Sequence, residues 1–207
     1  MKILALELST ARGSIAWLEE DGDVSIRTFA NNRKHSGLFF ENLQSYRREF
    51  GPPNIIIVGL GPGSYAGIRI AIATALGLRS ASASKLLGIP SICAMEVAAT
   101  EYQVIGDARR ASFFFGRVVD DRLIEGPSLY PGVELKQKLQ ESSVQLCASE
   151  PLPEFPKASL AYPSAGKLAM LARNRSEELA DSDLLEPIYL REPHITKPKT
   201  SRAVIHQ

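Results

Sequence analysis

Apolar residues recur with strand-like spacing through KILALELS (2–9), SIAWLEE (14–20) and VSIRTFA (24–30), which predicts three consecutive strands. Asp21-Gly22-Asp23 is a hairpin signal between the second and third, so the chain is expected to open as an antiparallel meander. From residue 37 the period changes. Phe39, Leu43, Tyr46 and Phe50 fall at helical spacing, Ser36 is placed to cap, and Gly51-Pro52-Pro53 stops the helix, predicting a helix over 37–50. NIIIVGL (54–60) is nearly all apolar, the pattern of a strand covered on both faces. It runs into GLGPGSYAGIR (59–69), a glycine loop that opens a helix predicted over 65–84.

That helix has an unusual composition. From Ile68 to Leu78 its only charge is Arg69. Gly67, Ala71 and Ala75 form one row of small residues, and Ala73, Gly77 and Ala81 form another. Rows of this kind let backbones approach on two sides. One side would be its own sheet; the other is either the rest of a large core or a protein partner. Further on, AMEVAATEY (94–102) reads as a short helix. QVIGDA (103–108), ASFFFGRVV (111–119) and DRLIEG (121–126) read as a second strand cluster with a tight Asp120-Asp121 turn. Helices are predicted over 133–142 and 164–173, flanking a strand at VQLCA (144–148), with PLPEFP (151–156) as an irregular connection. The expected architecture is α/β with two unequal lobes, 1–101 and 102–207.

Composition narrows the function classes. The 207 residues are 44% hydrophobic and 23% charged, with a net charge of +1, so no global electrostatic case exists for a nucleic-acid binder. No apolar run reaches the roughly 18 residues of a membrane span, and MKILALELS lacks the apolar stretch of a secretory signal. Cys93 and Cys147 fit free thiols in a reducing compartment, and a cytoplasmic location is expected. His35, His194 and His206 make no metal pair. The final 14 residues carry three cations and no acid, a tail with a weak case for contacting a polyanion.

The glycine loop has the ingredients of a phosphate cradle: glycines at 59, 61 and 63, a strand before it and a helix N-terminus after it. It lacks the Lys-Ser/Thr pair of a P-loop, and GxGxxG fails because Ser64 and Ala66 stand where the third glycine would fall. Glu7 at the end of the first strand could hold magnesium or orient a water, or else cap the next turn or pair with Arg12. With Ser9, Gly61, Gly63, Ser64 and Asp107 it forms the candidate nucleotide set. Asp107-Ala108-Arg109-Arg110 could bind an anion or a partner, and equally reads as a solvated turn with a surface ion pair. Ser9 and Ser64 have no local base, so a nucleophilic mechanism is unsupported.

Five segments, in order, resemble the bacterial TsaB (YeaZ) family of the actin/Hsp70-like superfamily. ILALELST is similar to its ILALDTST, RKHSGLFFENLQ to its RxHSExLLPxI helix and GPGSYAGIRIAIATALGL to its GPGSFTGLRIGLATAKGLA. DARRASFFFGRV is similar to its DARRGEVYxxxY, and LEPIYLRE (185–192) to its EPxYLR. The resemblance implies a two-lobed actin-like (ribonuclease H-like) fold with a mixed sheet in each lobe. It implies a non-catalytic scaffold subunit in tRNA threonylcarbamoyladenosine biosynthesis, paired with a TsaD-like catalytic subunit through helices 37–50 and 65–84. His35, Phe39, Leu43, Gly67, Arg69, Ala73 and Gly77 are the partner-binding residues so implied. A TsaE-like ATPase is a further partner, tRNA is met only indirectly, ATP or ADP is allowed at the inter-subunit contact, and the isolated chain is expected to homodimerise. The metal histidines of the TsaD-like subunit align with Ala94 and Ala98, which cannot ligate a metal.

Glu7 and Leu8 replace the family's Asp-Thr, Ala66 replaces Thr, and Gly37 replaces Glu. The first changes weaken the competing reading, an ATPase or kinase-like enzyme of the same superfamily. The last touches the expected partner helix. A peptidase reading finds neither a metal pair nor a nucleophile with its base.

Overall fold

The computed structural model describes residues 1–31, 36–182 and 184–191. The predicted meander is present as β1 (Ile3–Glu7), β2 (Arg12–Leu18) and β3 (Val24–Ala30). Helix α1 (Ser36–Phe50) leads to β4 (Ile55–Gly59), then α2 (Tyr65–Ser80) to β5 (Lys85–Ile89). The first sheet has the order β3-β2-β1-β4-β5, with β1, β4 and β5 parallel and the meander antiparallel. The second half repeats the plan. A meander of β6 (Glu101–Asp107), β7 (Ser112–Val119) and β8 (Arg122–Pro131) passes through α3 (Gly132–Gln140) to β9 (Gln145–Ala148) and the short β10 (Ser159–Leu160). Its order is β8-β7-β6-β9-β10, with β9 parallel to β6. Two mixed sheets with flanking helices give the α/β class expected.

Side-chain alternation sorts the core into three regions. Leu4, Leu6, Ile56 and Val58 face outward and are covered by α1 and α2 through Phe39, Leu43, Tyr46, Ile68, Ala71 and Ile72. Ile3, Ala5, Ile55 and Ile57 face the opposite way and share one cluster with Tyr102, Val104, Phe114 and Cys147 of the second sheet. The last helix, α4 (Ala165–Arg175), lies in this shared layer through Leu168, Ala169 and Ala172 and packs on β1, β2 and β4. A dry layer therefore joins the two sheets. Ion pairs at its rim tie Arg12 to Glu96 (3.1 Å) and Lys167 to Asp121 (2.8 Å). A third cluster, including Phe113, Phe115, Leu135 and Leu152, covers the far face of the second sheet.

Three local expectations are corrected. Helix α2 ends at Ser80 rather than 84, because Ala81–Ser84 is a turn whose hydroxyls bond back to Leu78 and Pro53, freeing Lys85–Ile89 to pair with β4. The helix read over 94–102 is a single 3-10 turn, Ser91–Ala94, followed by an irregular stretch and then β6. There the Glu96 N–H donates to the Tyr162 carbonyl and Met95 bridges Pro163, so tertiary partners displace the helical ladder. Arg12 pairs with Glu96 and not with Glu7.

Residues 181–182 and 184–191 then run back along α2, against the free edge of β5. Leu86 N–H donates to Asp181 Oδ1, Ser182 N–H to the Leu86 carbonyl, and Ile188 N–H to the Leu60 carbonyl. Leu185 is buried there, and Arg79 holds the Ser182 carbonyl at 2.5 Å.

Candidate functional site

Three amides of the glycine loop and helix start are bonded inside the chain. Gly61 N–H donates to Ser91 Oγ (2.9 Å), Ser64 N–H to the Ser9 carbonyl (2.6 Å) and Gly67 N–H to the capping Ser64 Oγ (3.3 Å). The glycines serve close packing. A Cβ at Gly63 would collide with the Ser9 carbonyl, and one at Gly67 with the Leu8 carbonyl. Asn31 Nδ2 fastens the same turn by donating to the Leu8 and Thr10 carbonyls, each at 2.8 Å. The start of α2 is thus pressed onto the turn after β1, and these amides are not presented to an anion.

Glu7 lies behind this junction, fully buried, on the face of β1 that meets the shared core. Its Oε1 accepts the Ser9 N–H at 2.7 Å. Gly59 is bare of a side chain where the carboxyl sits, and any Cβ there would overlap Oε2. The Ser9 and Ser91 hydroxyls ease the carboxyl electrostatically, but neither meets Oε2 in hydrogen-bond geometry; Oε2 and Ser9 Oγ are both buried without a partner. Burial therefore dominates and raises the Glu7 pKa above the ordinary carboxylate value. Burial likewise pushes the Cys93 thiol up to about 11 and the Cys147 thiol up to about 12, which removes both as nucleophiles at neutral pH.

Asp107 is not joined to this set. It ends β6 as Glu7 ends β1, accepts the Arg109 N–H at 2.6 Å and pairs with the Arg109 guanidinium at 3.0 Å. The turn it begins carries three successive left-handed residues, Arg109, Arg110 and Ala111, with φ of 66°, 57° and 54°. Each costs about 1 kcal/mol where glycine would cost little. Ala111→Gly is accordingly expected to raise stability by about 1 kcal/mol, read as a higher urea midpoint with an unchanged slope.

The two rows of small residues on α2 part company. Gly67, Ala71 and Ala75 are buried on the sheet, whereas Ala66, Arg69, Ala73 and Gly77 are exposed, and nothing lies within 4 Å of a Cβ placed on Gly77. Of the expected partner residues, Arg69, Ala73 and Gly77 are at the surface. Phe39, Leu43 and Gly67 are turned into the core, and His35 lies outside the described residues. On α1 the exposed aromatic is Phe40, half exposed, one residue past the apolar stripe. Tyr65 and Tyr189 are exposed at the start of α2 and stack with centroids 5.2 Å apart. Arg69 lies over the Tyr65 ring and donates to its hydroxyl at 2.8 Å, and the Tyr189 hydroxyl, then Tyr65, hold its pKa above the ordinary value. Phe40, Tyr65 and Tyr189 were missed by periodicity because an exposed aromatic beside an apolar stripe looks like part of it. Their sequence signal is their place in the matched segments.

Among the described residues no group of three or more His, Cys, Asp or Glu side chains could hold a metal ion, and no helix is long and apolar enough to cross a membrane.

No family model matches the chain. It is 30% identical over 99 residues to the tRNA threonylcarbamoyladenosine biosynthesis protein TsaB of Escherichia coli, covering 46% of this chain and 42% of that protein. It is 35% identical over 75 residues to the uncharacterized protein ML0378 of Mycobacterium leprae, covering 36% of this chain and 21% of that one. The chain thus matches less than half the length of either curated relative. Among solved structures, YeaZ from Pseudomonas aeruginosa superposes with a TM-score of 0.71 at 22% identity, covering 91% of this chain and 99% of that one. A second Pseudomonas aeruginosa structure, of an uncharacterized protein with similarity to peptidase YeaZ, gives 0.73 at 23% identity, covering 92% and 99%. At these identities the superpositions establish the fold.

Proposed function

We propose that this chain, whose comparisons support assignment to the TsaB/YeaZ family, is a non-catalytic subunit in tRNA threonylcarbamoyladenosine biosynthesis that docks a TsaD-like catalytic subunit through the outer face of α2. The observation that carries this reading is the exposed ridge of Ala66, Arg69, Ala73 and Gly77 on a helix whose opposite row is fully packed. Small side chains let another backbone come close. Arg69, already immobilised by Tyr65 and Tyr189, loses little freedom on binding a carboxylate or a helix C-terminus. The ridge is flanked by residues 181–182 and 184–191, so Tyr189 and Tyr65 extend the surface beyond the two helices. In the absence of the catalytic subunit the same face pairs two copies of this chain.

The enzyme reading draws less support. Its loop amides at 61, 64 and 67 are already bonded within the chain, its carboxyl is fully buried with its pKa raised by that burial, and a continuous core fills the space between the sheets. Any ATP or ADP then belongs to the contact with the catalytic subunit, a TsaE-like ATPase joins through that subunit, tRNA is met through it, and the assembly works in the cytoplasm.

The test is to mix the purified chain with the TsaD-like subunit of the same organism and follow complex formation by light scattering. The wild type is expected to form a one-to-one complex. Ala73→Arg, an exposed change that leaves the core alone, is expected to weaken it tenfold or more, about 1.4 kcal/mol. Absence of a complex with the wild type sinks the partner reading. ATP turnover by the isolated chain that Glu7→Gln abolishes would restore the enzyme.

A further inference from the structure

The repeat of one topology in both halves isolates a difference between them. Glu7 and Gly59 end the parallel strands β1 and β4, as Asp107 and Ala148 end β6 and β9. In the first half α2 follows β4, and its glycine start closes onto the turn after β1. In the second half the PLPEFP segment follows β9 instead. A cavity of about 400 Å³ stays open between that segment and the turn after β6. It lies at the carboxyl ends of two parallel strands, where α/β sheets take their ligands, and its volume is within the range of small-molecule sites.

The lining sorts by charge. Phe113 and Leu152, both buried, give an apolar floor continuous with the outer core of the second sheet. Asp107 is paired with Arg109 at 3.0 Å, and Glu154 with Lys136 at 3.4 Å. Two opposite charges remain, Arg110 and Glu150. Both line the cavity, and among the described residues neither side chain has an ion-pair partner. Arg110 is also the middle of the three left-handed residues. A strained turn that keeps an arginine where glycine would fit more easily points to a use for the side chain. A phosphate ester would find no net attraction here, because counting Lys136 the acids and bases around the cavity cancel.

We propose that this cavity binds a free α-amino acid with an aliphatic side chain. Arg110 takes the carboxylate through its planar pair of N–H donors, Glu150 takes the ammonium, and the side chain rests on Phe113 and Leu152. The site is separate from the α2 surface and stands whether or not that surface docks a partner.

The experiment is calorimetric titration of the full chain with L-leucine, and in parallel with L-leucinamide, which lacks the carboxylate, N-acetyl-L-leucine, which lacks the ammonium, and ATP. L-leucine is expected to saturate with a Kd of about 1 mM or tighter. Each blocked analogue should bind about tenfold more weakly or worse, as should L-leucine to Arg110→Gln and to Glu150→Gln. Both residues are exposed, so neither change threatens the fold. The proposal is overturned if L-leucine does not saturate at ten times that concentration, or if the single variants bind as wild type. It is equally overturned if ATP binds more tightly than L-leucine and displaces it.

Discussion

Gly67→Ala and Gly77→Ala, the same substitution ten residues apart on one helix, are expected to move stability in opposite directions. Helix propensity alone favours alanine at both by about 1 kcal/mol. At Gly77 nothing lies within 4 Å of the added methyl, so propensity decides and the variant gains about that amount. At Gly67 the methyl runs into the Leu8 carbonyl, a backbone atom that cannot swing away. The first turns of α2 must then lift from the turn after β1. That loosens the Ser64-to-Ser9 hydrogen bond and the two bonds Asn31 makes to Leu8 and Thr10. Overpacking of this kind costs about 3 kcal/mol, so a net loss of about 2 kcal/mol remains. Urea unfolding of the two variants beside wild type reads both signs. A stabilised Gly67→Ala would mean that the junction yields and that its glycines are not there for close approach.

Glu7→Gln should stabilise the protein near neutral pH by about 2 kcal/mol, with the gain growing as pH rises. The carboxyl is fully buried, and burial raises its pKa from the ordinary value of 4.5. The folded state therefore binds the proton more tightly than the unfolded chain does. Its contribution to stability is complete below about pH 4.5 and is lost as pH rises from there through the folded pKa. Glutamine keeps the acceptor for the Ser9 N–H and puts an amide donor where Oε2 now has no partner, next to the Ser91 and Ser9 hydroxyls. It does not titrate. The difference between variant and wild type should be near zero below about pH 4.5 and grow as pH rises through the raised folded pKa. Equal stability of the two proteins across that range would show that the Glu7 proton is held no more tightly in the fold than outside it.

The two predictions concern one junction, and its legibility in the sequence was uneven. The segment GLGPGSYAGIR announced itself as a strand, a glycine loop and a helix. Its composition fits a phosphate cradle and a tight packing corner equally well, since both need backbone without Cβ. Only the placement of the Ser9 and Leu8 carbonyls against Gly63 and Gly67 separates the two. The site residues divided in the same way. Ala73 and Gly77 were legible as one row because helical spacing is a property of the chain, while Arg69 came to the site through the resemblance. Phe39 and Leu43 were assigned to the partner surface by the resemblance, and the structure turns them into the core, because the spacing that marks a stripe does not say whether that stripe faces solvent.

Local pattern by itself determined the opening meander, α1, the buried strand β4, the small-residue helix and the hairpin at Asp120-Asp121. In each, the hydrophobic period or the turn residue is set by neighbours a few positions away. Tertiary structure alone decided that residues 95–100 are irregular and not helical, that Lys85–Ile89 is a strand and that α4 lies between the sheets. It also decided that residues 181–182 and 184–191 lie against the β5 edge and that the junction after β6 stays open while the one after β1 is closed. These outcomes rest on distant partners, such as Tyr162 for Glu96, Asp181 for Leu86 and Ser14 for Ala165, 151 residues away, and a period of two or of 3.6 carries no trace of them.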